Sequence, residues 1–175
     1  MRRCGTIMRE GTETTMAENA GADFVLAAYR EVGRWHVDNL PTRYADDLNT
    51  IVAAVRQLSS DSGALGLISV DEDFFILIRF TGAGIKYLLS DVTASTEWPL
   101  AEAVMEELGL PLPDDDERVQ PAGDLSILAD LGVDSVALAA ICDDLDTYPE
   151  DMLGDLADRL GFGDQYELAI ESVLS

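Results

Sequence analysis

The chain has 175 residues and a mass of 18.9 kDa, room for one ordinary domain or one domain with a small helical annex. Lys and Arg total 11 against 34 Asp and Glu, a formal charge of -23, which excludes a conventional nucleic-acid binder because that affinity is mostly charge neutralisation by Lys and Arg. Apolar residues make up 47% of the chain, so the charge does not imply disorder, which combines high charge with low hydrophobicity.

The charge is unevenly placed. Met1–Thr15 carries Arg2, Arg3 and Arg9 against Glu10 and Glu13, and lacks the apolar run of a signal peptide. Residues 1–22 are expected to form a disordered extension, with Met16 an alternative start. Residues 16–109 hold 6 basic and 15 acidic side chains, whereas residues 110–175 hold Arg118 and Arg159 against 17 acidic ones. No stretch of 18 consecutive apolar residues occurs, so no transmembrane helix is expected. Cys4 and Cys142 are too few and too far apart for a disulfide framework, which points to a reducing, cytoplasmic setting.

Phe24–Glu31 and Arg34–Asp38 are predicted strands, joined by Val32-Gly33 as a two-residue hairpin turn. A helix is predicted from Thr42 as N-cap, with Ala45, Leu48, Ile51, Val52 and Val55 on one face. Ala64–Val70, Phe74–Phe80 and Ile85–Leu89 then read as three strands separated by Asp71-Glu72-Asp73 and Gly82-Ala83-Gly84. Their near-continuous apolar runs predict strands covered on both faces. Trp98-Pro99 opens a second helix, with stripe Leu100, Val104, Met105 and Leu108 and a stop at Gly109.

The predicted order is ββαβββα: an α+β fold with an antiparallel meander over residues 23–109. Longin-like and roadblock-like domains share this order, a fold-level analogy only. Residues 110–123 read as an acidic, Pro-containing linker, and residues 124–175 as an annex of four short helices, the first opened by Asp124.

No motif identifies a reaction. His36 is the only histidine, and a hairpin-packed imidazole explains it more simply than a catalytic triad. Zinc chemistry lacks ligands. Asp71, Asp73 and Asp91, at neighbouring strand turns, could offer oxygen ligands to Mg²⁺ or Ca²⁺, although Asp also favours turns for its own backbone bonding. Trp98, Tyr148 and Phe162 fall near helix ends, where an aromatic can be half exposed and anchor a partner, or else plug the core. Cys142 reads as a small buried hydrophobe.

Longer phrases carry a resemblance. Ser69-Val70-Asp71-Glu72-Asp73-Phe74-Phe75, Leu89-Ser90-Asp91-Val92-Thr93-Ala94, Trp98-Pro99-Leu100-Ala101, Val119-Gln120-Pro121-Ala122-Gly123-Asp124-Leu125 and Tyr148-Pro149-Glu150-Asp151-Met152-Leu153-Gly154 resemble the actinobacterial tRNA adenosine deaminase-associated proteins. The resemblance runs from about Phe24 to the C-terminus. That family takes its name from genes lying beside the deaminase gene, so the resemblance implies an association with tRNA modification and supplies no catalytic residue. The chain is not itself the deaminase, whose zinc signature needs His-x-Glu and Pro-Cys-x-x-Cys. His36-Val37-Asp38 is the nearest approach, and Cys142 has no second cysteine beside it.

Three expectations follow. The leading one is a non-catalytic accessory protein without a cofactor, binding a protein with a basic surface such as the deaminase, with no direct contact to nucleic acid or membrane. The second is a divalent-metal enzyme or sensor built on Asp71, Asp73 and Asp91. The third is a self-associating scaffold that dimerises through an exposed sheet edge.

Overall fold

The computed structural model describes residues 22–58, 63–114, 118–144 and 146–174. The expected extension, with Cys4 and Met16, lies outside these residues except for Ala22, which opens the first strand.

Strands β1 (Ala22–Glu31) and β2 (Arg34–Leu40) form the expected antiparallel hairpin. Val32 and Gly33 both take positive φ, 53° and 75°, a backbone whose twist suits a two-residue hairpin turn. Glycine adopts it freely; the β-branched Val32 does so under strain, with its side chain 96% exposed.

The first helix begins later than Thr42. A 3-10 helix spans Thr42–Asp46, and α1 (Leu48–Leu58) starts behind Asp47. The Asp47 carboxylate accepts the Asn49 N–H at 3.1 Å and the Thr50 hydroxyl at 3.3 Å. An ionised carboxylate is the better partner for a helix N-terminus, so Asp47 takes the cap from Thr42. Strands β3 (Ala64–Val70), β4 (Phe74–Thr81) and β5 (Gly84–Leu89) continue the meander. A 3-10 helix over Val92–Thr96 leads into α2 (Pro99–Leu108), which starts on Pro99 and ends at left-handed Gly109.

The expected linker contains one more strand. Ala122–Gly123 (β6) pair with Leu89 and Leu88, completing a six-stranded antiparallel sheet in the order β2-β1-β3-β4-β5-β6. Two residues carry no periodicity, so sequence pattern could not reveal this strand. The segment after it is likewise not an α-helix. Asp124 folds back to accept the Ser126 N–H at 2.9 Å, and only Ala129–Leu131 form a 3-10 turn. The annex therefore has three α-helices, α3 (Ser135–Asp143), α4 (Pro149–Leu160) and α5 (Gly163–Leu174).

Strand pleating divides the apolar side chains between two cores. Leu65, Leu67, Phe75 and Leu77 pack with Leu138, Leu153, Leu156 and Phe162 of the annex. Ala64, Ile68, Ile76 and Ile78 pack with Ile51 and Val55 of α1 and with Val104 and Met105 of α2. The sheet is the middle layer of three, and the annex is fixed on it by a shared core.

One charged side chain enters the annex-facing core. Arg79, two residues beyond Leu77 on β4, is 4% exposed. Its guanidinium donates to both carboxylate oxygens of Asp130, at 2.6 and 2.9 Å, and to the Ile127 carbonyl at 3.0 Å. Three charge-assisted bonds thus tie the irregular 124–131 segment to the sheet.

Val32→Asn should stabilise the protein by about 1 kcal/mol, because it removes left-handed strain without removing packing. Calorimetry should show a melting temperature about 3 °C higher. Arg79→Ala should cost about 2 kcal/mol through the orphaned Ile127 carbonyl and the lost stem, whereas Asp130→Asn should cost roughly 0.5 kcal/mol, since the Asp130 side chain is 66% exposed. The hydrogen bond from Arg79 is the main cause holding the Asp130 carboxyl below its usual range. Its contribution is therefore present above the unfolded-state pKa and lost as pH falls through the depressed folded one. Denaturant melts should show the gap between wild type and Asp130→Asn closing on strong acidification.

Candidate functional site

Helix α4 sorts its residues by face. Met152, Leu153, Leu156, Ala157 and Leu160 are buried, whereas Asp151, Asp155, Asp158 and Arg159 are exposed. Two grooves flank the exposed ridge. Toward α5 lies one of about 420 Å³, lined by the carboxylates of Glu150, Asp151, Asp155, Asp158 and Glu167 with Tyr166 and Ile170 at its base. Among the described residues, no basic residue lines it. Toward α3 lies another of about 320 Å³, lined by Ala137, Ala140, Ile141 and Met152, with Asp144, Asp151 and Asp155 along its rim. Arg159 also lines it and pairs with Asp155 at 3.2 Å.

The α4–α5 groove is held by small residues and one phenol. Gly154 leaves a Cβ-sized space 3.4 Å from the Tyr166 ring, and Asp158 lies over Gly163, where a Cβ would collide with its carboxylate. The Tyr166 hydroxyl donates to the Glu150 carbonyl at 2.6 Å, and its ring meets Phe24 of β1 edge-on at 6.0 Å. Burial, then the Glu150 and Asp151 charges, pushes this phenol well above its ordinary pKa, so it keeps the proton that it donates to the Glu150 carbonyl.

Carboxylates also crowd the β3–β4 turn. Asp71 and Glu72 take left-handed φ of 50° and 52°, and the Asp23 carboxylate accepts the Glu72 N–H at 2.9 Å and the Ser69 hydroxyl at 3.1 Å. Partial burial first, then the charges of Asp151, Glu72 and Asp23, raises the Glu150 carboxyl. Partial burial and then Asp91, Glu97 and Asp71 likewise raise Asp73, opposed by a hydrogen bond from Trp98. The turn therefore sits between two self-repelling carboxylate groups.

Among the described residues, no group of three or more His, Cys, Asp or Glu side chains is placed to hold an ion. Asp91 instead caps the 3-10 helix, its carboxylate accepting the Thr93 N–H at 2.9 Å and the Thr93 hydroxyl at 2.6 Å.

The aromatic anchors are not brought together. Phe162 is fully buried and packs on Trp35 at 4.8 Å, filling the annex-facing core rather than reaching a partner. Trp98 is half-buried in the opposite core, 6.1 Å from Phe74. Tyr148 alone is open, at 60% exposure, directly before α4. His36 stacks on Tyr29 at 5.3 Å as its cross-strand neighbour. Cys142 is buried and its thiol is pushed up to about 12, chiefly by burial, so it is no nucleophile at neutral pH.

Sequence reasoning did not single out Glu150, Asp151, Asp155, Asp158 or Glu167. The signal was present in the alternation of apolar and acidic residues along 149–160. The grooves were not, because they depend on how α3 and α5 pack beside α4.

Fold and surface together define an acidic three-layer α+β protein with two carboxylate-walled grooves on its annex. Among its described residues, no helix is long and apolar enough to cross a membrane. The sequence matches the family described as Rv3753c-like tRNA adenosine deaminase-associated protein over residues 23–163. It is also 32% identical over 168 residues to Protein Rv3753c of Mycobacterium tuberculosis (strain ATCC 25618 / H37Rv), covering 92% of this chain and 97% of that protein. The chain belongs to this tRNA adenosine deaminase-associated family. No solved structure matches it.

Because the folded-state pKa of Asp73 is raised, its charge costs stability as pH rises past the unfolded value, and the cost is complete above the folded value. Asp73→Asn keeps an acceptor for Trp98 and removes the charge. It should gain about 0.5 kcal/mol at neutral pH, an effect kept small by solvent screening, and nothing below about pH 3.5. Melting temperatures of the two proteins across that range would check both the sign and the window.

Proposed function

We propose that this protein is a non-catalytic, cytoplasmic accessory factor that binds a basic protein surface, with the tRNA adenosine deaminase as its partner. The observation that carries the reading is the α4–α5 groove, walled by five carboxylates with no basic side chain among the described residues of its lining. A protein that binds tRNA presents Lys and Arg to phosphate, and an acidic surface complements that patch while being repelled by the nucleic acid itself. The family description supports the choice of partner.

In this reading the 23–109 unit is the scaffold and the 124–175 annex carries the contact, with Tyr148 as an aromatic anchor beside the acidic ridge. The other aromatic candidates have packing roles, Phe162 fully and Trp98 largely. A non-catalytic role is supported by the stacked His36 and the buried, weakly acidic Cys142. Long-range charge would speed encounter more than it would add final affinity, so the complex should weaken steeply with salt.

Sedimentation velocity of the purified deaminase with this chain should show a complex at low salt that tRNA and added salt both dissociate. Absence of a complex at low salt rejects the pairing. A dimer of this chain alone in the same experiment would favour the self-associating scaffold instead.

A further inference from the structure

Helix α3 reads Ser-Val-Ala-Leu-Ala-Ala-Ile-Cys-Asp and is apolar nearly all round, although only Leu138, Ile141 and Cys142 are buried. A helix of that composition is ordinarily covered on every side. Here Val136 stands 77% exposed and Ala140 is exposed beside it. The same helix forms one wall of the 320 Å³ groove, whose apolar lining is Ala137, Ala140, Ile141 and Met152 and whose polar lining is Thr147, Asp144, Asp151 and the Asp155–Arg159 pair, which leaves a net acidic edge.

From this juxtaposition we infer that the α3–α4 groove is the docking site for an amphipathic helix of a protein partner, with an apolar stripe flanked by Lys or Arg. Alanines at 137 and 140 let a second helix approach closely, and the groove then receives its larger apolar side chains. The rim carboxylates sit where flanking basic residues of such a helix would lie, which sets the sign of the partner's charge. A second copy of this chain is a poor occupant, since it would set the same carboxylates face to face in a protein of net charge -23. Anionic lipid is disfavoured for the same reason. This inference rests on the accessory reading and deepens it, seating a helix of the partner in the α3–α4 groove beside the carboxylate-walled one between α4 and α5.

The test uses the full chain, a synthetic helical peptide of Leu and Lys at amphipathic spacing, a scrambled peptide of equal composition, and the purified deaminase. Ala140→Arg fills the groove from an exposed position, and Ala137→Gln does so more mildly should the first variant fold poorly. An Asp158→Asn, Glu167→Gln double variant alters only the other groove. The helical peptide should bind about tenfold or more tighter than its scramble, a preference that the groove variants abolish and the double variant keeps.

Equal binding of the two peptides, or a preference that survives in both groove variants, overturns the inference. The deaminase separates the two readings. Binding weakened by Ala140→Arg supports both. Binding untouched by either groove variant keeps the accessory reading and rejects the groove. Absence of deaminase binding alongside a groove-dependent peptide preference rejects the deaminase as partner and keeps the groove.

Discussion

Burial of the central sheet on both faces is the constraint on which the rest of the structure depends. The strands alternate Phe74, Ile76 and Ile78 on one side with Phe75 and Leu77 on the other, and all five are essentially inaccessible. An antiparallel sheet of this kind cannot leave either face in water, because each strand would expose several large apolar side chains. Helices α1 and α2 cover one face. The annex must cover the other, so it is a structural layer before it is anything else. Its helices lie with Leu138, Leu153, Leu156 and Phe162 inward, and the acidic residues of the last third are left to face outward. The cost of that layer is the irregular segment leading into it, whose backbone needs partners. Arg79 on β4 donates directly to the Ile127 carbonyl and pairs with Asp130, while Lys86 on β5 pairs with Asp124, whose carboxylate accepts the Ser126 N–H.

Much of this was legible from the residues. Val32-Gly33, Pro99, Gly109, Asp134 and Gly161 mark turns and helix ends by local chemistry, and each stands where that chemistry puts it: Asp134 accepts the Ala137 N–H at 2.8 Å, and Gly161 adopts a φ of 105°. The missed features share one cause, which is that they are decided between segments. Thr42 and Asp47 are both acceptable caps, and the choice depends on where the chain can turn from β2 onto the sheet. Ala122–Gly123 are a strand only because Leu88 and Leu89 offer an edge. Leu125, Leu128 and Leu131 have helical spacing, yet Arg79 captures the Ile127 carbonyl and holds the segment in turns. Phe162 follows a helix end and would be half exposed on that ground alone; Trp35, 130 positions away from its neighbour Gln165 in a bond to the Trp35 carbonyl, closes over it.

The candidate surface shows the same division. That residues 149–160 form an amphipathic helix with acidic outer positions is written in their order. That this face is flanked by two grooves of different character follows from the packing of α3 and α5 beside it. One groove is walled by carboxylates because both of its helices present acid. The other is apolar because α3 contributes alanines where α5 contributes Glu167.

The charge has a cost that bears on its purpose. The Glu150 and Asp73 carboxyls are raised first by partial burial and then by neighbouring carboxylates, so the folded state holds both charges less comfortably than the unfolded chain does. A surface selected only for stability would mix signs, as Lys86 does beside Asp124. Retained repulsion is the kind of local conflict that folded proteins carry at functional surfaces. It also makes association more favourable. A basic partner laid across the α4 ridge gains its own contacts and offsets part of the repulsion that Asp151 exerts on Glu150, so binding would return the Glu150 carboxyl toward ordinary acidity. By linkage, partner affinity would then fall as pH drops into the carboxylate range, together with the charge that attracts it. In the proposed reading, the net charge of -23, concentrated on the annex, is the feature that a basic protein surface would complement.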